Sequence, residues 1–252
     1  MATRALVTGA TSGIGNAFAR ELAKRGHDLV LVARDTVRLE EVAASLRERH
    51  TVDVEVLTAD LATPEGVEAT VNAITTGRRP VDLVVNNAGS SIAGWFGTTD
   101  IADEDSQLDL LVRAPMHLMD AAIKAMSGRG HGSVINVSSV AAYTPRGAYA
   151  AHKAWLLSIS QWANLHYADT GVKVMALCPG FVRTEFHQRM QADMSDVPRW
   201  MWLRADPLVR AALRDLHKGK AVSVPSWRYR VLAFWAKHLP ASRVARVARR
   251  GR

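Results

Sequence analysis

Short apolar runs alternate with longer amphipathic stretches between residues 4 and 180, and this rhythm confines the chain to a parallel sheet covered by helices on both faces. Residues 5–8 (ALVT), 28–33 (DLVLVA), 52–57 (VDVEVL), 82–86 (DLVVN), 133–137 (SVINV) and 172–177 (VKVMAL) read as strands. Between them, residues 16–25 place Ala17, Phe18, Leu22 and Ala23 at helical spacing, with Gly26 as the cap. Residues 36–50 read as a helix, and Pro64 opens another over 65–76. A helix over 206–217 and a late strand at 221–224 (AVSV) extend the pattern. No internal repeat or low-complexity linker interrupts it.

Composition excludes several classes. At 252 residues, 48% hydrophobic and 22% charged, the chain can bury one sizeable core. A lone cysteine, Cys178, excludes an internal disulfide and a cysteine-built zinc site. No run of about 18 uncharged apolar residues exists to span a bilayer. The first ten residues hold no apolar signal region, so a cytoplasmic protein is expected. The net charge of +8 is unevenly spread. Residues 199–252 carry 14 Lys and Arg against Asp206 and Asp215, while the rest holds 18 basic and 22 acidic residues.

Gly9, Gly13 and Gly15 separate the first strand from the first helix. A strand–turn–helix that admits a pyrophosphate needs a tight turn, a bare backbone and a helix N-terminus aimed at the anion. The spacing here is G-x-x-x-G-x-G.

The turn and four further strings form a set. Residues 8–15 read TGATSGIG and residues 86–89 read NNAG. Ser138 and Ser139 precede YAAHK at 149–153, and PGFVRTE follows at 179–185. In this order and at these separations the set resembles the short-chain dehydrogenase/reductase family, over roughly residues 4–190. The resemblance implies one α/β domain over residues 1–225, a three-layer, Rossmann-like, doubly wound parallel sheet. A substrate lid would occupy about 185–216, and residues 226–252 would form a basic C-terminal helical extension. It implies a nicotinamide cofactor, no metal, and hydride transfer between that cofactor and a carbonyl or alcohol carbon. The cofactor contacts it implies are Gly9, Thr11, Ser12, Gly13, Ile14, Gly15, Asp60, Leu61, Asn87, Ala88, Gly89, Pro179, Gly180, Val182 and Thr184, together with Tyr149 and Lys153.

The end of the second strand chooses between cofactors. An acid there binds a ribose 2′-hydroxyl, whereas arginine accepts a 2′-phosphate. Ala33 is not acidic and Arg34 follows it, so NADP is expected over NAD. Asp35 is the counterweight to that reading, but it is expected to begin or cap the next helix.

Reduction of a carbonyl needs a proton at oxygen as well as a hydride at carbon. Tyr149 and Lys153, at i and i+4, share a helix face, and a nearby ammonium is expected to lower the phenol pKa. By resemblance Tyr149 is the acid, Lys153 grips the nicotinamide ribose, and Ser139 orients the carbonyl, with Ser138 as the alternative. Two departures from the family pattern stand out. Ser139 and Tyr149 lie ten residues apart where about thirteen is usual. Leu111, in LVRAP, stands where many members carry an asparagine that holds a relay water. His152, at i+3 from Tyr149, is a candidate for that relay; the other reading is a solvated helix position.

Phe186, Met190, Met194, Trp200, Met201 and Trp202 make the lid bulky and apolar. This suits an acyl, steroid or lipid-like substrate, and equally suits core packing. The tail reads SWRYRVLAFWAKHLPASRVARVARRGR from residue 226. It could dock on the body or on a partner subunit, lie on an anionic membrane, contact nucleic acid through phosphates, or be a solvated basic tail behind a packed helix. No nucleic-acid motif accompanies the charge. The expected activity is NADP(H)-dependent oxidoreduction of a hydrophobic carbonyl or alcohol, by a homo-oligomer with possible peripheral membrane contact. A catalytically weak NADP-binding sensor or scaffold is the alternative.

Overall fold

The computed structural model describes residues 3–77, 79–186 and 197–248, without the side chains of 246–248. Seven parallel strands form one sheet: β1 (Arg4–Thr8), β2 (Asp28–Ala33), β3 (Val54–Thr58), β4 (Leu83–Asn86), β5 (Gly132–Val137), β6 (Val172–Leu177) and β7 (Val222–Ser223). Their order is β3-β2-β1-β4-β5-β6-β7. The chain therefore winds outward from β1 on one side, returns, and winds outward from β4 on the other. The crevice between β1 and β4, at their C-terminal ends, is where such sheets bind ligands.

Side chains alternate along each strand, which divides the core in two. Ala5, Val7, Leu29, Leu31, Val85 and Ile135 pack beneath α1 (Gly13–Lys24), α2 (Thr36–Arg49) and α7 (Ala205–His217). Leu6, Val30, Val32, Val84 and Val134 face α3 (Pro64–Thr75), α5 (Ala114–Ser127) and α6 (Ala148–His166). The three-layer, doubly wound expectation is met. α4 (Ile101–Leu108) runs into α5 through a π-helical turn, Asp109–Arg113.

Local signals explain the boundaries. Asp35 caps α2 by accepting the Arg38 N–H at 3.0 Å, and Thr63 with Pro64 opens α3. Gly26, at φ +82°, closes α1: its N–H donates to Ala23 O and that of His27 to Leu22 O. α1 begins at Gly13 rather than at residue 16, because Gly13 and Gly15 are within its first turn. Behind β7, α8 (Trp227–His238) and α9 (Ala241–Ala248) are separated by Pro240. Among the described residues, no helix is long and apolar enough to cross a membrane.

Candidate active site

A cavity of about 1130 Å³ opens over the C-terminal ends of β1, β4, β5 and β6. One end of its floor is the glycine turn. Gly9 (φ +65°) and Gly13 (φ +58°) line it in left-handed backbone, with Thr11, Ser12 and Ile14 beside them. Ser12 places no side chain over the first turn of α1, and that turn holds no acidic residue. Its N–H groups are left for an anion. Gly15 does not line the cavity. A Cβ there would overlap the Gly9 carbonyl oxygen and the Asn87 amide, so Gly15 lets α1 seat under the turn.

The far wall comes from β4. Asn87 Nδ2 donates to Thr8 O at 2.9 Å and to Gly9 O at 3.3 Å, tying the two strand ends together. Thr8 Oγ1 accepts the Asn87 and Ala88 N–H groups at 2.9 Å each. Ala88 and Gly89 line the cavity next to them, as do Asp60 and Leu61 after β3. Beyond β6, Pro179, Gly180, Val182 and Thr184 close the remaining side. Thr184 sits where a Cβ on Gly13 would touch its methyl, so the start of the lid meets the glycine turn.

At the β2 end Arg34 is exposed, with Nη1 3.7 Å from Asp60 Oδ2. Arg38 lines the same end and was missed by sequence reasoning. Its guanidinium reaches Glu185 at 3.0 Å and Asp35 at 3.7 Å. Arg34 and Arg38 are four residues apart, one just before the Asp35 cap and the other in the first turn of α2.

Ser139, Tyr149 and Lys153 meet at the other end. A compact turn at Val140–Tyr143, then Gly147 at φ +84°, carries the chain from β5 into α6. The ten-residue spacing therefore still brings the Ser139 and Tyr149 hydroxyls into hydrogen bonding. Ser139 Oγ also accepts the Ala141 N–H at 3.1 Å. Ser138 is buried, lines the cavity beside Ser139 and donates to the Lys153 carbonyl at 2.7 Å. Tyr143 Oη lies 3.8 Å from Cys178 Sγ, outside the cavity lining.

The electrostatics reverse one expectation. Burial pushes the Tyr149 phenol up to about 12, against the downward pull of Ser139. Burial also pulls Lys153 down to about 8. The Lys153 ammonium donates to Val137 O at 2.8 Å and lies 5.7 Å from the Tyr149 ring centre. Desolvation outweighs a charge held at that distance by a carbonyl, so the phenol is not depressed.

Two neighbours do not face the main cavity. His152 lies outside the lining, with Nδ1 buried and unpartnered, and burial lowers its pKa. The relay reading is not supported by this placement. Leu111 is buried in the π-helical turn, its Cδ2 3.1 Å from where a Cβ on Gly89 would stand. It shares a small void with Lys153.

The lid is split. Phe186 lines the cavity, 6.2 Å from the Tyr149 ring. Trp200, Met201 and Trp202 do not line it, and Met190 and Met194 fall outside the described residues. Ile92 and Trp95, after NNAG, supply apolar wall that the sequence reading did not anticipate.

A family model described as short chain dehydrogenase matches residues 3–195. An uncharacterized oxidoreductase of Staphylococcus epidermidis is 30% identical over 222 residues, 84% of this chain and 92% of its own. A short-chain dehydrogenase from Sphingobium yanoikuyae, solved in complex with NADPH, superposes with a TM-score of 0.85 at 34% identity, covering 91% and 92% of the two chains. A bulky-bulky ketone specific alcohol dehydrogenase from Comamonas testosteroni gives 0.81 at 31%, covering 91% and 90%.

Proposed function

The chain belongs to the short-chain dehydrogenase family, and from that premise we propose that it is an NADPH-dependent reductase of hydrophobic ketones or aldehydes. The observation that carries this is the hydrogen-bonded Ser139–Tyr149 pair, with Lys153 buried beside it, at the end of the cavity opposite the arginines.

The cavity fits the cofactor on this chain's own features. The uncapped α1 N-terminus and the left-handed Gly9 and Gly13 suit a pyrophosphate. Arg34 and Arg38 suit a 2′-phosphate. Asp60 and Leu61 would flank the adenine, Asn87 through Gly89 the ribose side, and Pro179, Gly180, Val182 and Thr184 the nicotinamide. The bound nicotinamide supplies the hydride. Ser139 then holds the carbonyl oxygen, and Tyr149, neutral at working pH, gives it a proton as charge develops. Lys153 provides positive charge behind the phenol. A phenol of raised pKa stays protonated at neutral pH, which is the form that reduction requires, while the phenolate that oxidation of an alcohol requires is scarce.

NADPH bound in the Sphingobium relative supports the cofactor reading. Arg34→Asp is expected to weaken NADPH binding by about 10- to 100-fold, the worth of one or two charge-assisted hydrogen bonds, with NADH affinity unchanged or improved. Titration of cofactor fluorescence measures both; equal wild-type affinities would refute the NADP assignment. Apolar walls from Ile92, Phe181 and Phe186, together with the bulky ketones named for the Comamonas relative, support a hydrophobic substrate. The test is NADPH consumption with a 3-ketoacyl thioester, a ketosteroid, a long-chain aldehyde and a quinone. Turnover of at least one is expected. Tight NADPH binding without any turnover would favour the sensor reading, which the buried Leu111 supports. The outer face of α6, with Leu165 78% and Trp162 51% exposed, is the proposed subunit contact. Leu165→Glu is expected to lower the sedimentation mass.

A further inference from the structure

One helix of this chain buries a narrow strip and leaves its apolar remainder in water. On α8 the inner side is Tyr229 and Ala233. Tyr229 Oη accepts the Phe181 N–H at 3.0 Å and donates to Met201 O at 2.8 Å, and its ring fills the hollow left by Gly180. The helix is thus fixed to the cavity wall. Outward, Trp227 is 65% exposed, Phe234 56%, Trp235 54% and Val231 47%. At about 100° per residue these four fall within one arc of roughly 100°.

Cations border the arc. Arg230 lies along one edge and Arg228 along the other, while the Lys237 ammonium sits 4.8 Å over the Tyr143 ring. Arg228 sits 5.7 Å from the ring centres of both Trp227 and Trp200, and Trp200 is itself 54% exposed. No acidic residue follows Asp215, whereas residues 216–252 hold ten Lys and Arg. An exposed aromatic strip between cationic edges is the pattern of a helix lying in the headgroup layer of an anionic bilayer. Tryptophan suits that layer, and arginine and lysine can reach up to phosphates from its edges.

We propose that α8 docks this protein on an anionic membrane surface through Trp227, Val231, Phe234 and Trp235. The charge selects this occupant over a second copy of the chain, because apposing two such faces would bring like charges together with no acid between them. The docking surface does not depend on the chemistry proposed above.

The full chain is mixed with phosphatidylcholine vesicles, with and without about one third phosphatidylglycerol, and floated on a density gradient. Co-flotation is expected with the anionic vesicles alone, with a blue shift of tryptophan emission and loss in high salt. Replacing Phe234→Glu and Trp235→Glu together should lower the bound fraction at least tenfold. Val37→Glu, the same change at an exposed valine of α2, should leave it unaltered. Arg230→Gln should weaken binding about fivefold, as for one surface cation. Melting curves identify an unfolded variant, and if the double variant is one, Arg230→Gln and the salt dependence decide. Failure of the unmodified chain to float overturns the proposal. So does equal flotation by the double variant, or a double variant that loses only self-association.

Discussion

Tyr149→Phe is expected to lower kcat for carbonyl reduction by roughly a thousandfold while leaving NADPH affinity and KM nearly unchanged. The size follows from the usual worth of a positioned acid, about 10²- to 10⁴-fold. The split follows from the geometry. The ring stays in place against Phe186, so the cavity keeps its shape, and Ser139 still holds the substrate oxygen. Only the proton donor is gone. The pH profile gives a second check. Burial holds the phenol near 12, so it stays protonated across the neutral range. Lys153, near 8, is the group that titrates. With its charge needed behind the phenol, kcat/KM should be flat below about pH 8 and fall above it. A profile that climbs steadily to pH 10 would contradict these roles.

Lys153→Met should abolish turnover and change the pH dependence of stability. The lysine is brought down from 10.5 to about 8 by burial. Below about pH 8 it is charged in both states, and the folded state bears the desolvation. Between about 8 and 10.5 the unfolded lysine binds a proton that the folded one does not, so wild-type stability rises with pH. At about 1.4 kcal/mol per unit, that rise is on the order of 3 kcal/mol. Methionine removes the buried charge but strands the Val137 carbonyl, which costs about 1–3 kcal/mol. At pH 7 the variant should therefore equal or exceed wild type. Its standing should then drop by about 3 kcal/mol as pH approaches 10.5. Tyr149, raised too, loses stability for both proteins between about 10 and 12, and so cancels from the comparison. Urea unfolding at a series of pH values, with m unchanged, measures the difference. A constant difference would mean that Lys153 is solvated.

Whatever depended on spacing could be read from the chain. Strand period, the helix starts at Asp35 and Pro64, and the i, i+4 pairing of Tyr149 with Lys153 are local, and the structure repeats them. What depended on burial could not. The direction of the Tyr149 shift reverses because desolvation is a property of the packed site, not of the neighbour's charge. Both Ser138 and Ser139 line the cavity, and only the packed site shows that the Ser138 hydroxyl is spent on the Lys153 carbonyl. Gly15 shows the same limit, since nothing in TGATSGIG says which glycine meets ligand and which meets backbone. Arg38 was overlooked because a helix surface is the ordinary home of arginine. Trp200 and Trp202 follow Phe186 in the chain without lining the cavity, since proximity in sequence is not contact.

The π-helical turn at Asp109–Arg113 makes the neighbourhood of the site adjustable in length. Such a turn holds one residue beyond what an α-helix would use. Deleting a single residue there would restore the α-helical ladder and leave α4 and α5 near their present relative rotation, because the wide turn already absorbs the extra residue. Leu111 would leave its place beside Gly89 and Lys153, while α5 and every strand kept their positions. A one-codon deletion, or its reversal, thus offers descendants of this chain a way to exchange the group beside the catalytic lysine without redesigning the sheet.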